Sequence, residues 1–98
     1  MMLFNPGKIV TTYNINVRMK NEPRFAAEIN NALERFLEGD WGDLDEENKM
    51  MNDEALESEC EEGFSDSIFA MYRILGSEVY IITECDRSVT TILYAEEY

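Results

Sequence analysis

The pattern of apolar positions is clearest between residues 22 and 37, where apolar side chains recur every three or four residues. This spacing places them on one side of an α-helix, in a stripe that consists of Phe25, Ile29, Leu33, Phe36 and Leu37. Asn21 is a suitable N-cap, and Pro23 fits the first turn because its missing N–H needs no partner there. Gly39 is a suitable C-cap residue. The pattern therefore predicts an amphipathic helix over residues 22–37.

A second long helix is predicted over residues 43–60, although its apolar positions are fewer. Asp43 is expected to cap it, and acids occupy its first turn, where the helix dipole favours negative charge. The face expected to pack on the core consists of Leu44, Asn48, Met51 and Ala55, with Leu56 and Cys60 beside it. Asp40, Trp41 and Gly42 are expected to form the turn between the two helices.

Short runs of β-branched and aromatic residues predict strands on both sides of these helices. The first strand is residues 8–13, and Asn14 or Asn16 is expected to cap a short helical turn that continues through Met19. Near the C-terminus, three strands are predicted at residues 67–75, 78–85 and 89–95. The middle run is apolar on both sides, which predicts that this strand is central in its sheet.

Two turns connect these three strands. Gly76 and Ser77 are predicted to form a two-residue hairpin turn, and residues 86–88 the next turn. Arg73 is expected to pair with a cross-strand carboxylate, and Arg87 to stabilise its own turn through Glu84 or Asp86.

This order of elements predicts an α+β fold in a single domain of residues 1–98. In it, the N-terminal strand and the C-terminal three-stranded meander form an antiparallel sheet. Two long helices and the short helical turn pack on one face of that sheet.

The charge of the chain is concentrated in one segment. The 98 residues carry 21 acidic and 8 basic side chains, but residues 38–66 contain 13 of the acids and a single base, Lys49. Like charges one turn apart oppose helix formation, and a surface selected only for solubility usually mixes both signs. The segregation leaves two interpretations open: a solvated helix face, or a negative face that binds a cationic partner. In either case, direct binding to nucleic acid or to an anionic membrane is not expected.

The composition is that of a globular protein, with 45% hydrophobic and 11% aromatic residues. The first ten residues lack the pattern of a signal peptide, and no stretch reaches the roughly 20 apolar residues of a membrane span. We therefore expect a cytoplasmic protein, either a monomer or a homodimer, whose two thiols stay reduced.

The sequence offers little support for a metal site or a catalytic site. Asp43, Asp45, Glu47 and Glu54 occupy ligand positions of a calcium loop, but Asn48 stands where that loop requires glycine. Cys60 lies among carboxylates that oppose the thiolate, and Cys85 is expected to be a small buried residue. The chain has no histidine and no phosphate-binding loop. We therefore expect no enzymatic activity, no cofactor and no metal. The polar side chains within residues 83–91 form a further candidate site.

Trp41, between two glycines, has two interpretations. It is either an anchor that packs under the turn between the helices, or an exposed aromatic hot spot beside the acids. The candidate partner-binding residues are Asp40, Trp41, Asp43, Asp45, Glu46, Glu47, Asp53, Glu54, Glu57 and Glu61.

Two stretches, GDWGDLDEENKMMNDEAL and IITECDRSVTTILYAEEY, resemble a family of small acidic proteins carried on bacterial plasmids, conjugative elements and prophages. Members share a GDWG turn, an acidic helix with N-x-x-A-L, and a closing I-I-T-E-x-D-R-S-x-T-T-x-L-x-x-E-Y. The match covers Gly39 to Leu56 and Ile81 to Tyr98 closely, and Ala95 stands where the family has proline.

The setting on mobile elements implies an anti-defence protein, of the anti-CRISPR or anti-restriction kind. Its expected partner is a basic nucleic-acid-binding protein of a bacterial defence system, whose cationic groove the acidic helix enters as a DNA mimic. The alternative is a non-enzymatic adaptor or regulator that uses Trp41 and the surface of the sheet.

Overall fold

The computed structural model describes residues 3–62 and 67–98, and for residues 57–62 it describes the backbone alone. The predicted α+β class is confirmed, since four strands and three α-helices lie within these residues. The strands are Lys8–Thr11 (β1), Ile68–Ile74 (β2), Ser77–Thr83 (β3) and Val89–Tyr94 (β4). The helices are Tyr13–Asn21 (α1), Pro23–Leu37 (α2) and Glu46–Glu62 (α3), and a 3-10 turn, Ala95–Glu97, follows β4.

The sheet has the strand order β1-β4-β3-β2. β2, β3 and β4 form the predicted antiparallel meander, and β3 is internal as predicted. The prediction of an entirely antiparallel sheet is wrong, because β1 lies parallel to β4, with Ile9 opposite Thr90. Parallel neighbours require a long crossover connection, and the three helices together with β2 and β3 provide it.

The first hairpin turn lies one residue earlier than predicted. Ile74 pairs with Ser77, so Leu75 and Gly76 form the turn, with φ of 47° and 84°. Two successive positive φ values are those of a type I′ turn, whose twist matches that of the strands. The second turn is confirmed, since Asp86 Oδ1 accepts the Ser88 N–H at 3.0 Å.

Both predicted arginine contacts are present. Arg73 lies opposite Glu78 across β2 and β3, with Nη2 and Oε2 3.8 Å apart. Arg87 Nη1 donates to the backbone carbonyl of Glu84 at 3.0 Å, so it stabilises its turn through the main chain.

The hydrophobic core lies between one face of the sheet and the helices. α2 contributes Phe25, Ile29, Ala32 and Phe36, while Leu33 and Leu37 of the predicted stripe are partly buried at its margin. The sheet contributes Ile68, Ala70, Tyr72, Ile74, Val79, Ile81 and Ile92, which alternate with residues of the opposite face. That opposite face carries half-buried apolar side chains. Phe69 and Tyr80 form an edge-to-face ring contact there, and Tyr80 forms another with the exposed Tyr98.

The boundary between α1 and α2 is displaced from the prediction. α1 begins after Thr12 rather than at Asn14 or Asn16, and it continues to Asn21. Asn21 is not the N-cap of α2; Glu22 is, with an extended backbone of φ −128° and ψ 95°. Pro23 disfavours a helical conformation at the preceding residue, so the chain can restart a helix only from Pro23 itself.

No described helix combines the length and the apolar content needed to cross a membrane.

Candidate interaction surface around residues 40–54

The segment 40–43 lies along the outer edge of β2. Gly42 forms a parallel bridge with Met71, whose carbonyl accepts the Asp43 N–H at 2.7 Å. The Asp43 carboxylate accepts the backbone N–H of Arg73 at 3.0 Å. These contacts occupy backbone groups that an edge strand otherwise leaves exposed. The prediction that Asp43 caps the next helix is therefore wrong, because Asp43 is held on the sheet.

Asp45 takes the capping position instead. Its Oδ1 accepts the Asn48 N–H at 3.1 Å, and its carbonyl accepts the Lys49 N–H at 3.0 Å. α3 accordingly begins at Glu46, three residues later than predicted.

Gly42 permits the close approach of this segment to β2. Its φ is +74°, and a Cβ at this position would collide with the carbonyl oxygen of Met71 and the ring of Tyr72. Both the backbone conformation and the space therefore require glycine. The prediction that residues 40–42 form the turn is wrong, because the chain turns at Glu38 and Gly39, and residues 40–42 run along β2 and protect the sheet edge.

Trp41 is buried, with 3% of its surface exposed. Its ring contacts Phe4 and Phe36 at centroid distances of 6.4 and 5.5 Å. Its Nε1–H donates to Asp53 Oδ1 at 3.2 Å, which joins the segment 40–43 to α3. The interpretation of Trp41 as an anchor is confirmed, and the interpretation as an exposed hot spot is wrong.

Asp40 connects the end of α2 to the sheet. Its carboxylate accepts from Arg35 Nε at 2.8 Å and from the Gly42 N–H at 3.1 Å, and its carbonyl accepts the Tyr72 hydroxyl at 2.6 Å. The hydrogen bond from Arg35 lowers the pKa of Asp40, and burial raises the pKa of Tyr72. Asp40 is therefore an ionised, structural carboxylate at neutral pH.

Asn52 is the residue of this region that the sequence analysis missed. It is 4% exposed, its Nδ2 donates to the Phe69 carbonyl at 2.6 Å, and its Oδ1 accepts the Phe69 N–H at 3.1 Å. One amide thus satisfies both outward backbone groups of a residue in the edge strand β2. Its spacing of three residues from the buried Ala55, in the N-x-x-A-L pattern, was the signal that could have identified it.

The buried face of α3 therefore differs from the predicted one. Asn52 and Ala55 are buried, and Leu44 and Leu56 are partly buried, whereas Asn48 and Met51 are exposed. The side chain of Cys60 lies outside the described residues.

Seven of the predicted partner-binding residues have exposed side chains; one is Asp40, and the other six lie within residues 43–54. We refer to these six as the acidic surface: Asp43, Asp45, Glu46, Glu47, Asp53 and Glu54. Lys49 lies among them and pairs with Glu46 at 3.7 Å. Because α3 contacts β2, this surface lies at the β2 edge of the molecule. Glu57 and Glu61 belong to α3, but their side chains lie outside the described residues.

The other candidate sites are the calcium loop, Cys85 and the polar cluster of residues 83–91. Among the described residues, no group of three metal-ligating side chains is present. Cys85 is exposed rather than buried, which corrects the prediction. In the polar cluster of residues 83–91, the hydroxyls of Thr83 and Thr90 share a buried hydrogen bond of 2.7 Å, and Thr90 also donates to the Pro6 carbonyl. A cleft of about 400 Å³ is lined by Gly76, Ser77, Glu78, Tyr94, Ala95 and Glu96.

Asp40→Asn is expected to lower the free energy of unfolding by up to about 1 kcal/mol at neutral pH, because the Arg35 pair is half exposed. The folded-state pKa of Asp40 is lowered, so its contribution is complete above the unfolded pKa and is lost as pH falls through the folded pKa. Urea denaturation at a series of pH values should show the two proteins converging in acid. Glu28→Gln, at an exposed position of α2, is the control. A difference that persists unchanged in acid would contradict this role.

Comparisons of the chain with protein-family models, with curated proteins and with solved structures find no match.

Proposed function

We propose that this protein is a non-enzymatic inhibitor that binds a cationic surface, and that it acts as an anti-defence protein of a mobile genetic element in the bacterial cytoplasm. Its target in this proposal is a basic, nucleic-acid-binding effector of a CRISPR or restriction system. The observation that carries the proposal is the acidic surface, where residues 43–54 carry six exposed carboxylates and a single lysine.

The physical basis is competition for the positive charges that bind phosphates. Proteins bind DNA largely by neutralising phosphates with Lys and Arg, and this binding weakens steeply as salt rises. Carboxylates one helical turn apart lie about 5–6 Å from each other, near the spacing of successive phosphates. A row of carboxylates held on a helix can therefore occupy a groove that otherwise holds a nucleic-acid backbone.

The contacts inside the molecule narrow the set of candidate contact residues. Asp40, Asp43 and Asp53 accept hydrogen bonds from Arg35, from β2 and from Trp41, and Asp45 caps α3. Their carboxylates are therefore partly committed to the fold. Glu46, Glu47 and Glu54 lie on α3, and because their side chains are exposed to solvent we assign the main partner contacts to them.

Reversing two of these charges tests the proposal. Glu47→Lys with Glu54→Lys is expected to weaken inhibition about tenfold or more, because two favourable contacts become repulsive. The matched control is Glu28→Lys with Glu34→Lys, which makes the same change in net charge at exposed positions of α2. The measurement is binding of labelled target DNA to a purified Cas effector and to a restriction complex, by fluorescence anisotropy across a salt series.

Inhibition that weakens with salt and with the α3 reversal, but not with the α2 reversal, supports the proposal. Inhibition of neither effector at low salt, or equal inhibition by both double variants, would exclude it.

A second candidate function is an adaptor that binds a partner through the open face of the sheet. The observation in its favour is the half-buried apolar side chains on that face, together with Tyr98, which is largely exposed. Trp41 cannot contact a partner in this alternative, because it is buried. Ile82→Glu places a charge at the centre of the face, so it would abolish binding by an adaptor and leave binding through α3 unchanged.

A further inference from the structure

The two edges of the sheet differ in whether their outward backbone groups are hydrogen-bonded. At the β2 edge, Asp43 and Asn52 bind the outward backbone groups of Phe69, Met71 and Arg73. At the β1 edge, the N–H groups of Lys8 and Thr12 point inward, to the carbonyls of Ser88 and Ile92, both at 3.0 Å. Because direction alternates along a strand, the backbone groups of Ile9 and Thr11 point outward. Within the described part of the chain, no hydrogen bond reaches them.

The surroundings of this open edge are apolar and not strongly charged. Ile9 is 41% exposed, and Tyr13, which begins α1 just after β1, is 79% exposed. The one charged side chain of β1 is Lys8. An unpaired strand edge with exposed apolar neighbours is a template for the addition of another strand.

We propose that a second copy of this chain pairs with the β1 edge, antiparallel, about a two-fold axis that passes between the two Val10 residues. Ile9 of each copy then lies opposite Thr11 of the other and exchanges both backbone hydrogen bonds with it. The two Val10 side chains meet on the open face of the sheet. The result is a continuous sheet of eight strands, four from each copy.

Charge complementarity favours a second copy over an unrelated strand. In this register Lys8 lies opposite the second copy's Thr12. The Thr12 hydroxyl donates to Glu97 Oε1 at 2.8 Å, so the Glu97 carboxylate lies beside that position. Two reciprocal pairs between Lys8 and Glu97 therefore form across the axis. The acidic surfaces lie at the β2 edges, which are the outer ends of the eight-stranded sheet, so their mutual repulsion is smallest in this arrangement.

The first test is sedimentation equilibrium across a concentration series. We expect the unaltered chain to reach the mass of two chains, and Thr11→Pro to weaken this association about tenfold or more. Proline at residue 11 removes only an outward N–H and is compatible with an edge strand, so thermal unfolding is expected to change little. Lys8→Glu is expected to weaken the dimer similarly, whereas Lys20→Glu, the same change at an exposed residue of α1, leaves it unchanged.

The second test is cross-linking in a background of Cys60→Ser and Cys85→Ser. Val10→Cys is expected to form an intermolecular disulfide under mild oxidation, because directly opposed residues of a non-hydrogen-bonded pair lie about 4.5 Å apart at Cα. Thr91→Cys, at the neighbouring position on β4, is the matched control and is expected to form no intermolecular disulfide.

A monomeric chain at all concentrations and in high salt would overturn the proposal. In that case the β1 edge could pair only with an extended segment of another protein. A dimer that survives both Thr11→Pro and Lys8→Glu, or that cross-links equally through Thr91→Cys, would also overturn it. None of these outcomes depends on the proposed inhibition of a defence effector.

Discussion

Trp41→Ala is expected to lower the free energy of unfolding by about 3–5 kcal/mol, the usual cost of removing a buried aromatic side chain from a core. Trp41 contacts Phe4 and Phe36, and its indole N–H donates to Asp53, so one residue holds the N-terminal segment, α2 and α3 together. Domains of this size have a total stability of about 5–15 kcal/mol, so the variant is expected to be close to unfolded at 37 °C.

Urea denaturation followed by circular dichroism measures this effect. Trp41→Phe is the graded control, because it keeps an aromatic ring in the core and removes the N–H donor. We expect it to cost about 1–2 kcal/mol. A loss below about 1 kcal/mol for Trp41→Ala would show that the indole does not anchor the turn.

Asn52→Leu is expected to cost about 2–4 kcal/mol. The substitution removes two hydrogen bonds and leaves the N–H and carbonyl of Phe69 without partners at a partly buried position. The larger consequence is at the sheet edge, because separation of α3 from β2 exposes a strand that another chain can pair with. We therefore expect Asn52→Leu to aggregate during thermal unfolding at concentrations where the unaltered protein does not.

Asn31→Leu is the matched control for this substitution. Asn31 lies on α2 with an exposed side chain, so the same change there is expected to alter stability by no more than about 0.5 kcal/mol. Chemical denaturation and light scattering on the two variants separate the loss of the Asn52 contacts from the general effect of adding an apolar side chain. Equal stability of the two variants would show that Asn52 does not secure the edge of β2.

These contacts change the interpretation of two of the three sequence patterns that carry the resemblance, GDWG and N-x-x-A-L. In GDWG, Asp40 binds Arg35, Trp41 fills the core and Gly42 allows contact with β2. In N-x-x-A-L, Asn52 binds Phe69 and Ala55 packs in the core. Both patterns therefore have structural explanations. In the proposed function, partner binding belongs to the exposed Glu46 and Glu47, which lie between the two patterns, and to Glu54, which lies within the second.

Elements whose pattern is local could be predicted from the residues. The spacing of the apolar stripe of α2 fits only a helix, and the meander follows from three β-branched runs separated by turn residues. The internal position of β3 follows from apolar residues on both of its faces. The concentration of charge in residues 38–66 is a property of the sequence, independent of how the chain folds.

Features that depend on contacts between distant residues could not be predicted in this way. No local sequence pattern specifies that β1 pairs with β4 in parallel. The pairing depends on the position at which the chain re-enters the sheet after the helices, β2 and β3. Asp43 is as good a helix cap as Asp45 until β2 offers it the N–H of Arg73. Likewise, Asn52 is buried and Met51 exposed because an edge strand needs a donor and an acceptor at that point, and an amide supplies both. Hydrophobic periodicity records which residues avoid water, but it carries no information about which backbone groups still need a partner.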